Sequence, residues 1–181
     1  MVMHMLSDSH KAMLRDSAIR DDVRDARGYR TITGDEAVEM GFAKWQSSSG
    51  LLVPAYGMDG TTRLPQLRAD VPRVGKDGKP VKYESPHGSS NFLDVNPLMQ
   101  PEVSKGAQAV FITEGAKKVD ALASLGIPAI GLKGVWGWRG KNSHGGYTTL
   151  PDWEDVSIKG NRFVIAFDSD IKTNKNVNDA V

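Results

Sequence analysis

The chain contains no cysteine in 181 residues, which excludes a disulfide scaffold and thiolate zinc sites and accords with a reducing cytoplasm. No apolar run approaches the ~20 residues that cross a bilayer. The first residues, MVMHMLSDSHK, lack the apolar core of a secretion signal, so a cytoplasmic protein with no membrane partner is expected. Neither sign of charge is in excess: 23 Lys and Arg against 22 Asp and Glu leave a formal net charge of +1. That balance argues against a strongly basic, indiscriminate DNA binder, so any nucleic-acid contact has to come from a local patch. His4, His10, His87 and His144 are scattered without zinc-type spacing. There is no serine elbow, and Gly140-Lys141-Asn142 lacks the upstream glycine and the Ser/Thr of a Walker sequence, so no ATPase motor is recognisable.

What is present is the composition of a globular protein, 39% hydrophobic and 25% charged, long enough for one full domain or two small ones. Its organising stretch is Val110–Gly126, VFITEGAKKVDALASLG. A short apolar strand, Val110–Thr113, delivers Glu114 and Gly115 into a helix, Ala116–Leu125, whose Val119, Leu122, Ala123 and Leu125 recur at helical spacing. Two further apolar runs, Ala129–Leu132 and Phe163–Phe167, follow, the second ending in Asp168-Ser169-Asp170. Continuous apolar strands separated by a helix predict a parallel sheet covered on both faces, with function outside the carboxyl ends of its strands.

The expected order is a helical N-terminal segment (1–49), a small antiparallel β and loop unit (50–107) and an α/β sheet (108–181). In the first segment, helices are predicted over Ser7–Arg15, Ser17–Asp25 and Gly34–Met40. In the second, Leu51–Ala55 and Thr62–Leu67 form a hairpin around Asp59-Gly60, Val81–Glu84 adds a strand, and Pro86–Gly106 is read as loop because Pro97 and Pro101 oppose regular structure. Gly134–Ile158 is a long connection of the kind that is often functional.

Glu114, Asp168 and Asp170 fall at strand ends on one rim of the sheet, where three carboxylates repel unless a cation lies between them. Hard oxygen ligands suit Mg²⁺ or Mn²⁺, shared with water and substrate phosphates. Taken singly, Asp168 could instead cap a following helix and Glu114 could favour the positive end of its own. The segment Arg63–Lys82 gathers Arg63, Arg68, Arg73, Lys76, Lys79 and Lys82 against only Asp70 and Asp77. Those cations either track a phosphate backbone or protect sheet edges from aggregation. Trp136, Trp138, Trp153, Arg139 and Tyr147 make the long connection aromatic and basic, which suits stacking on unpaired bases or, the better reading for Trp136 and Trp153, pinning of the loop to the sheet.

Glu114-Gly115 opening a helix and Phe167-Asp168-Ser169-Asp170 ending a strand resemble the Toprim (Rossmann-like) domain of bacterial-type primases, topoisomerases and some nucleases. Upstream, Leu51-Leu52-Val53-Pro54, Asp59-Gly60, Gln66-Leu67-Arg68 and Lys82-Tyr83-Glu84-Ser85-Pro86 occur in the order seen ahead of Toprim in bacterial replicative primases. The segments KYESPHGSSNFLD, ITEGAKKVDAL, GVWGWRG, LPDWEDV and AFDSD are similar to a primase-like domain of phage and plasmid replication proteins.

The resemblance implies Mg²⁺-dependent, template-directed nucleotidyl transfer in mobile-element DNA replication. Glu114, Asp168 and Asp170 are the implied catalytic and metal residues. Arg68, Lys82, Arg73, Lys118 and Arg139 are the candidate contacts to single-stranded DNA template or nucleoside triphosphate, and a replicative helicase is a further implied partner. Two departures stand out. The primase pattern carries an acid four positions after the Glu; here that position is Lys118, and the nearest acid, Asp120, lies about 200° further round the helix. The pattern also continues beyond Val181, so the Toprim domain is expected to be C-terminally incomplete and the 181-residue chain inactive by itself in primer synthesis. The alternatives are a Toprim metal-dependent nuclease or topoisomerase-like activity, for which neither Tyr83 nor Tyr147 has a nucleophile's context, and a non-catalytic module that binds single strands or a helicase.

Overall fold

The apolar run ahead of Glu114 forms β5 (Ala109–Glu114), an inner strand of a four-stranded sheet ordered β4-β6-β5-β9. The structure, a computed structural model, describes residues 5–76, 78–106, 109–168 and 179. β6 (Ala129–Leu132) and β9 (Arg162–Ile165) flank β5 in parallel, with Ile112 opposite Ile130 on one side and Ile165 on the other. β4 (Leu93–Asp94) pairs antiparallel with β6. β6 is buried at all four positions, as a strand covered on both faces requires. The expected parallel sheet is therefore present, with an antiparallel edge strand inside the stretch read as loop.

A second sheet, β1-β2-β3, is antiparallel throughout: β1 (Arg30–Ile32), β2 (Gly50–Tyr56) and β3 (Thr62–Ala69). The β2–β3 turn forms as expected, with Gly60 at φ 76° and the Asp59 carboxylate accepting from the Thr61 N–H at 3.0 Å. Three helices precede and accompany this sheet: α1 (Asp8–Asp16), α2 (Asp21–Arg27) and α3 (Gly34–Glu39). Ser7 caps α1 and Thr33 closes a capping box with Glu36 on α3. The predicted helix Ser17–Asp25 begins later, because Ala18 turns into left-handed backbone at φ 58°. Strand β1, inside the segment read as helical, pairs Thr31 with Leu51.

Three further expectations are corrected. Val81–Glu84 makes only an isolated bridge, Leu67 to Glu84, rather than a strand. Pro97 and Pro101 do not prevent helix: they stand at the starts of a 3₁₀ turn (Pro97–Met99) and of α4 (Gln100–Lys105), where proline's missing N–H has no helical partner to lose. The long connection after Gly134 contains the hairpin β7 (Arg139–Lys141) and β8 (Tyr147–Thr149), then a 3₁₀ turn, Pro151–Asp155.

Helix α5 (Ala116–Ser124) follows β5 directly, but its inward stripe differs from the predicted one. Ala116, Val119, Asp120, Ala123 and Ser124 are buried, whereas Leu125 is 74% exposed. Asp120 takes the inward position because Arg27, itself fully buried, meets it there: Nη2 donates to Oδ1 at 2.6 Å and Nε to Oδ2 at 3.1 Å. Tyr29 Oη (2.7 Å) and Asn96 Nδ2 (2.8 Å) also donate to this carboxylate. The Arg27 Nη1 binds Asp94 of β4 at 2.5 Å and the Pro54 carbonyl of β2 at 3.3 Å, and the Tyr56 N–H donates to Asp94 at 3.0 Å. One apolar cluster likewise draws Leu14, Val23 and Tyr29 together with Leu51, Val53, Ala116 and Ala123. The N-terminal helices, β2, β4 and α5 thus meet around one buried point.

Burial works against the charge on Arg27, but Asp94 and Asp120 together outweigh it and hold the guanidinium more firmly protonated than usual. For Asp94, burial pushes the carboxyl up, with Arg27 opposing. Replacing Arg27 by Met leaves two buried carboxylates uncompensated and should cost ~3–5 kcal/mol in urea denaturation. Because the Asp94 carboxyl is raised in the fold, its increment of stability is complete below the unfolded value and is lost as pH rises through the folded one. Urea midpoints measured from about pH 4 to pH 7 should therefore show a decline with pH that Asp94→Asn removes.

Candidate functional site

The carboxyl ends of β5 and β9 open into a cleft of about 540 Å³. Its floor is the Glu114-Gly115 junction and the first turn of α5, and its facing wall is the end of β3 with the Lys82-Tyr83 segment. Glu114 is the last residue of β5, and Gly115, at φ 83°, makes the turn that starts α5 without any side-chain cap. Asp168 lies three residues past β9. Its approach is held against β5 by the Ala166 N–H on the Ile112 carbonyl (2.8 Å) and by the Thr113 hydroxyl on the Ala166 carbonyl (2.9 Å).

Five of the eight candidate residues line this cleft: Glu114, Asp168, Arg68, Lys82 and Lys118. Asp170 lies outside the described residues. Asp168 is paired with Lys118, Nζ to Oδ1 at 2.5 Å. The Arg68 guanidinium stands 5.4 Å from the Tyr83 ring centre, which directs it along the wall. Burial pushes the Tyr83 hydroxyl up, with Arg68 opposing.

Arg73 and Arg139 lie elsewhere. Arg73 binds both oxygens of Glu84 at 3.0 Å and covers Trp45 at 4.8 Å, lining a neighbouring groove that shares Tyr83 and Lys133 with the cleft. Arg139 is enclosed by the rings of Trp136 (4.0 Å), Tyr147 (4.5 Å) and Trp138 (5.5 Å), while the Trp153 indole N–H donates to the Trp138 carbonyl at 3.0 Å.

Two cations went unnoticed in the sequence. Lys117, beside Lys118, and Lys133, directly after β6, both line the cleft. Burial lowers the Lys117 ammonium and Arg68 lowers it further; burial alone lowers Lys133. The positions themselves were a usable signal, since each follows the end of a parallel strand by no more than a few residues.

Among the described residues, no group of three or more His, Cys, Asp or Glu is placed to hold a metal ion. Asp120 cannot stand in for the acid replaced by Lys118, because it faces the core. Two carboxylates do not make an all-protein cage; a magnesium-type ion held by them would complete its shell with water and with oxygens of another ligand.

A family profile described as a domain of unknown function (DUF3854) matches residues 102–181. No curated protein matches the chain. Among solved structures, the DnaG primase catalytic domain bound to single-stranded DNA superposes with a TM-score of 0.59 at 13% identity, over 97% of this chain and 60% of that one. The Aquifex aeolicus primase, comprising zinc-binding and RNA polymerase domains, gives 0.57 at 13% identity, over 90% and 43%. The RNA polymerase domain of Mycobacterium tuberculosis primase DnaG gives 0.57 at 14% identity, over 96% and 67%. The chain spans 43% of the Aquifex structure and 60% of the DNA-bound one.

Lysines whose ammonium is destabilised stay nucleophilic at lower pH. An amine-reactive reagent applied across a pH series should label Lys117 and Lys133 at lower pH than free Nα-acetyl-lysine, read by peptide mass spectrometry. The architecture, mixed α/β with a three-stranded antiparallel sheet, a mostly parallel four-stranded sheet and a two-stranded hairpin, is similar to that of solved primase catalytic domains.

Proposed function

We propose that this chain carries part of the machinery of primase-type nucleotidyl transfer, in which a primer is built on single-stranded DNA from nucleoside triphosphates. The observation that carries the reading is the composition of the cleft: Glu114 and Asp168 on its rim, with Arg68, Lys82, Lys117, Lys118 and Lys133 around them, in a fold shared with primase catalytic domains. Glu114 and Asp168, with Asp170 beyond the described residues, would hold Mg²⁺ or Mn²⁺. Such an ion, when bound, supplies activation of the attacking 3′-hydroxyl and neutralisation of the pyrophosphate leaving group.

The remaining work falls to the protein's own side chains. Arg68 and Lys82 face the strand ends across the cleft and would clamp phosphate oxygens by charge-assisted hydrogen bonds. Lys117 and Arg68 repel one another until an anion lies between them, which favours binding of a polyphosphate over a neutral ligand. Gly115 lets the chain turn so that the first N–H groups of α5 open toward the same space. The setting in phage or plasmid replication rests on the sequence motifs alone.

A second reading, a module that binds single strands without chemistry, draws support from one observation: the Asp168 carboxylate already has an ammonium partner in Lys118. Template-directed incorporation of nucleotide, with and without Glu114→Gln, separates the two. Loss of incorporation in the variant supports catalysis, and Mn²⁺ binding that Glu114→Gln leaves unchanged, with DNA binding intact, supports the module.

For DNA binding itself, Arg68→Ala and Lys82→Ala should each weaken affinity and flatten its salt dependence by roughly one phosphate. Fluorescence anisotropy on a single-stranded oligonucleotide across a salt series is the measurement. Unchanged slopes in both variants would return these residues to sheet protection.

A further inference from the structure

Lys118 stands one helical turn past Glu114, and its ammonium reaches across the cleft to Asp168 at 2.5 Å. The pair is open to water, with 40% of the lysine side chain and 65% of the aspartate exposed. An ion pair so exposed adds little to the stability of a fold. Nor do the elements need it, since the chain leaving β9 is already bound to β5 through Ala166 and Thr113. What the pair does is place a monovalent charge on a carboxylate oxygen that a divalent cation in this cleft would use.

We propose that Lys118 is a displaceable counter-ion. It neutralises Asp168 while the cleft holds no cation, releases it when a divalent cation arrives with a nucleoside triphosphate, and then turns its ammonium to the triphosphate oxygens. The inference rests on the reading of Asp168 as a cation ligand. An ammonium and a divalent cation repel if both hold one carboxylate, so binding of the cation alone has to break the pair without giving Lys118 a new partner. A triphosphate supplies that partner within the same cleft, where Lys117 and Arg68 already favour an anion. Cation and triphosphate therefore bind with positive coupling, and the coupling is reciprocal. The lysine flexes about its four-carbon stem, which lets one residue serve both partners.

The test is Mn²⁺ binding to the full chain, followed by electron paramagnetic resonance. It is run with and without a non-hydrolysable nucleoside triphosphate and corrected for the complex the two form in free solution. Lys118→Met keeps the length of the side chain and removes its charge. It should bind Mn²⁺ alone about two- to fivefold more tightly than the unaltered protein, and gain less from added triphosphate. Lys118→Arg, which restores a cation, should follow the unaltered protein. Asp168→Asn should weaken Mn²⁺ binding in every background. Equal Mn²⁺ affinity in the unaltered protein and Lys118→Met, with Asp168→Asn still weakening it, would overturn the displacement while leaving Asp168 a ligand. Mn²⁺ binding indifferent to Asp168→Asn would overturn both, by removing the ligand on which the displacement depends.

Discussion

A guanidinium that cannot shed its proton, buried with no exposed surface, is the constraint from which most of this fold follows. Arg27 ends α2, and every partner it takes comes from a different part of the chain: Asp94 from β4, Asp120 from α5, the Pro54 carbonyl from β2. A buried charge without such partners would cost several kcal/mol, so the arrangement forces three otherwise separate elements onto one point. Asn96 and Tyr29 complete the shell of Asp120, leaving that carboxylate three donor residues rather than one. The apolar cluster around Leu14, Val53 and Ala123 then fills the same interface without needing to define it.

The cleft is a product of that junction. Its two walls belong to different sheets, the end of β3 on one side and the β5–α5 turn on the other. β2 is hydrogen-bonded to β3, and α5 carries Asp120, so the Arg27 cluster lies directly behind both walls. An excess of cations over carboxylates results, in a chain whose total charge is nearly balanced. The similarity to primase catalytic cores extends across both sheets, at an identity too low to show more than shared architecture.

What could be read from the sequence was local and periodic. β5, β6, β9 and the β2–β3 hairpin announce themselves by apolar runs and by Asp59-Gly60; counting alone puts Glu114 at the end of its strand, whereas β9 stops at Ile165, three residues short of Asp168. The failures share a cause. β4 has two residues and β1 three, too short for any period to register, and each exists because a longer strand offers it hydrogen bonds. The stripe of α5 was misjudged because Leu122 and Leu125 outweigh an aspartate on any hydropathy scale. Only a partner 93 residues away in sequence makes Asp120 an inward residue. Pro97 and Pro101 oppose helix only in its interior, and here each stands in a first turn. Arg139 lies outside the cleft, among the aromatic rings that accompany it in the sequence.

The junction behind the cleft has a consequence for how ligands meet it. Walls tied through buried charge are not free to hinge apart, because separating them would expose or orphan Arg27, Asp94 and Asp120 together. The opening between β3 and α5 is therefore set before anything enters, and little conformational entropy remains to be lost from the backbone on binding. Adjustment is left to the long side chains that line it, Lys82 foremost, which is exposed where Lys117, Lys118 and Lys133 are half-buried. The shape of the site is thus fixed by its walls, and its charge is carried by groups that can still move.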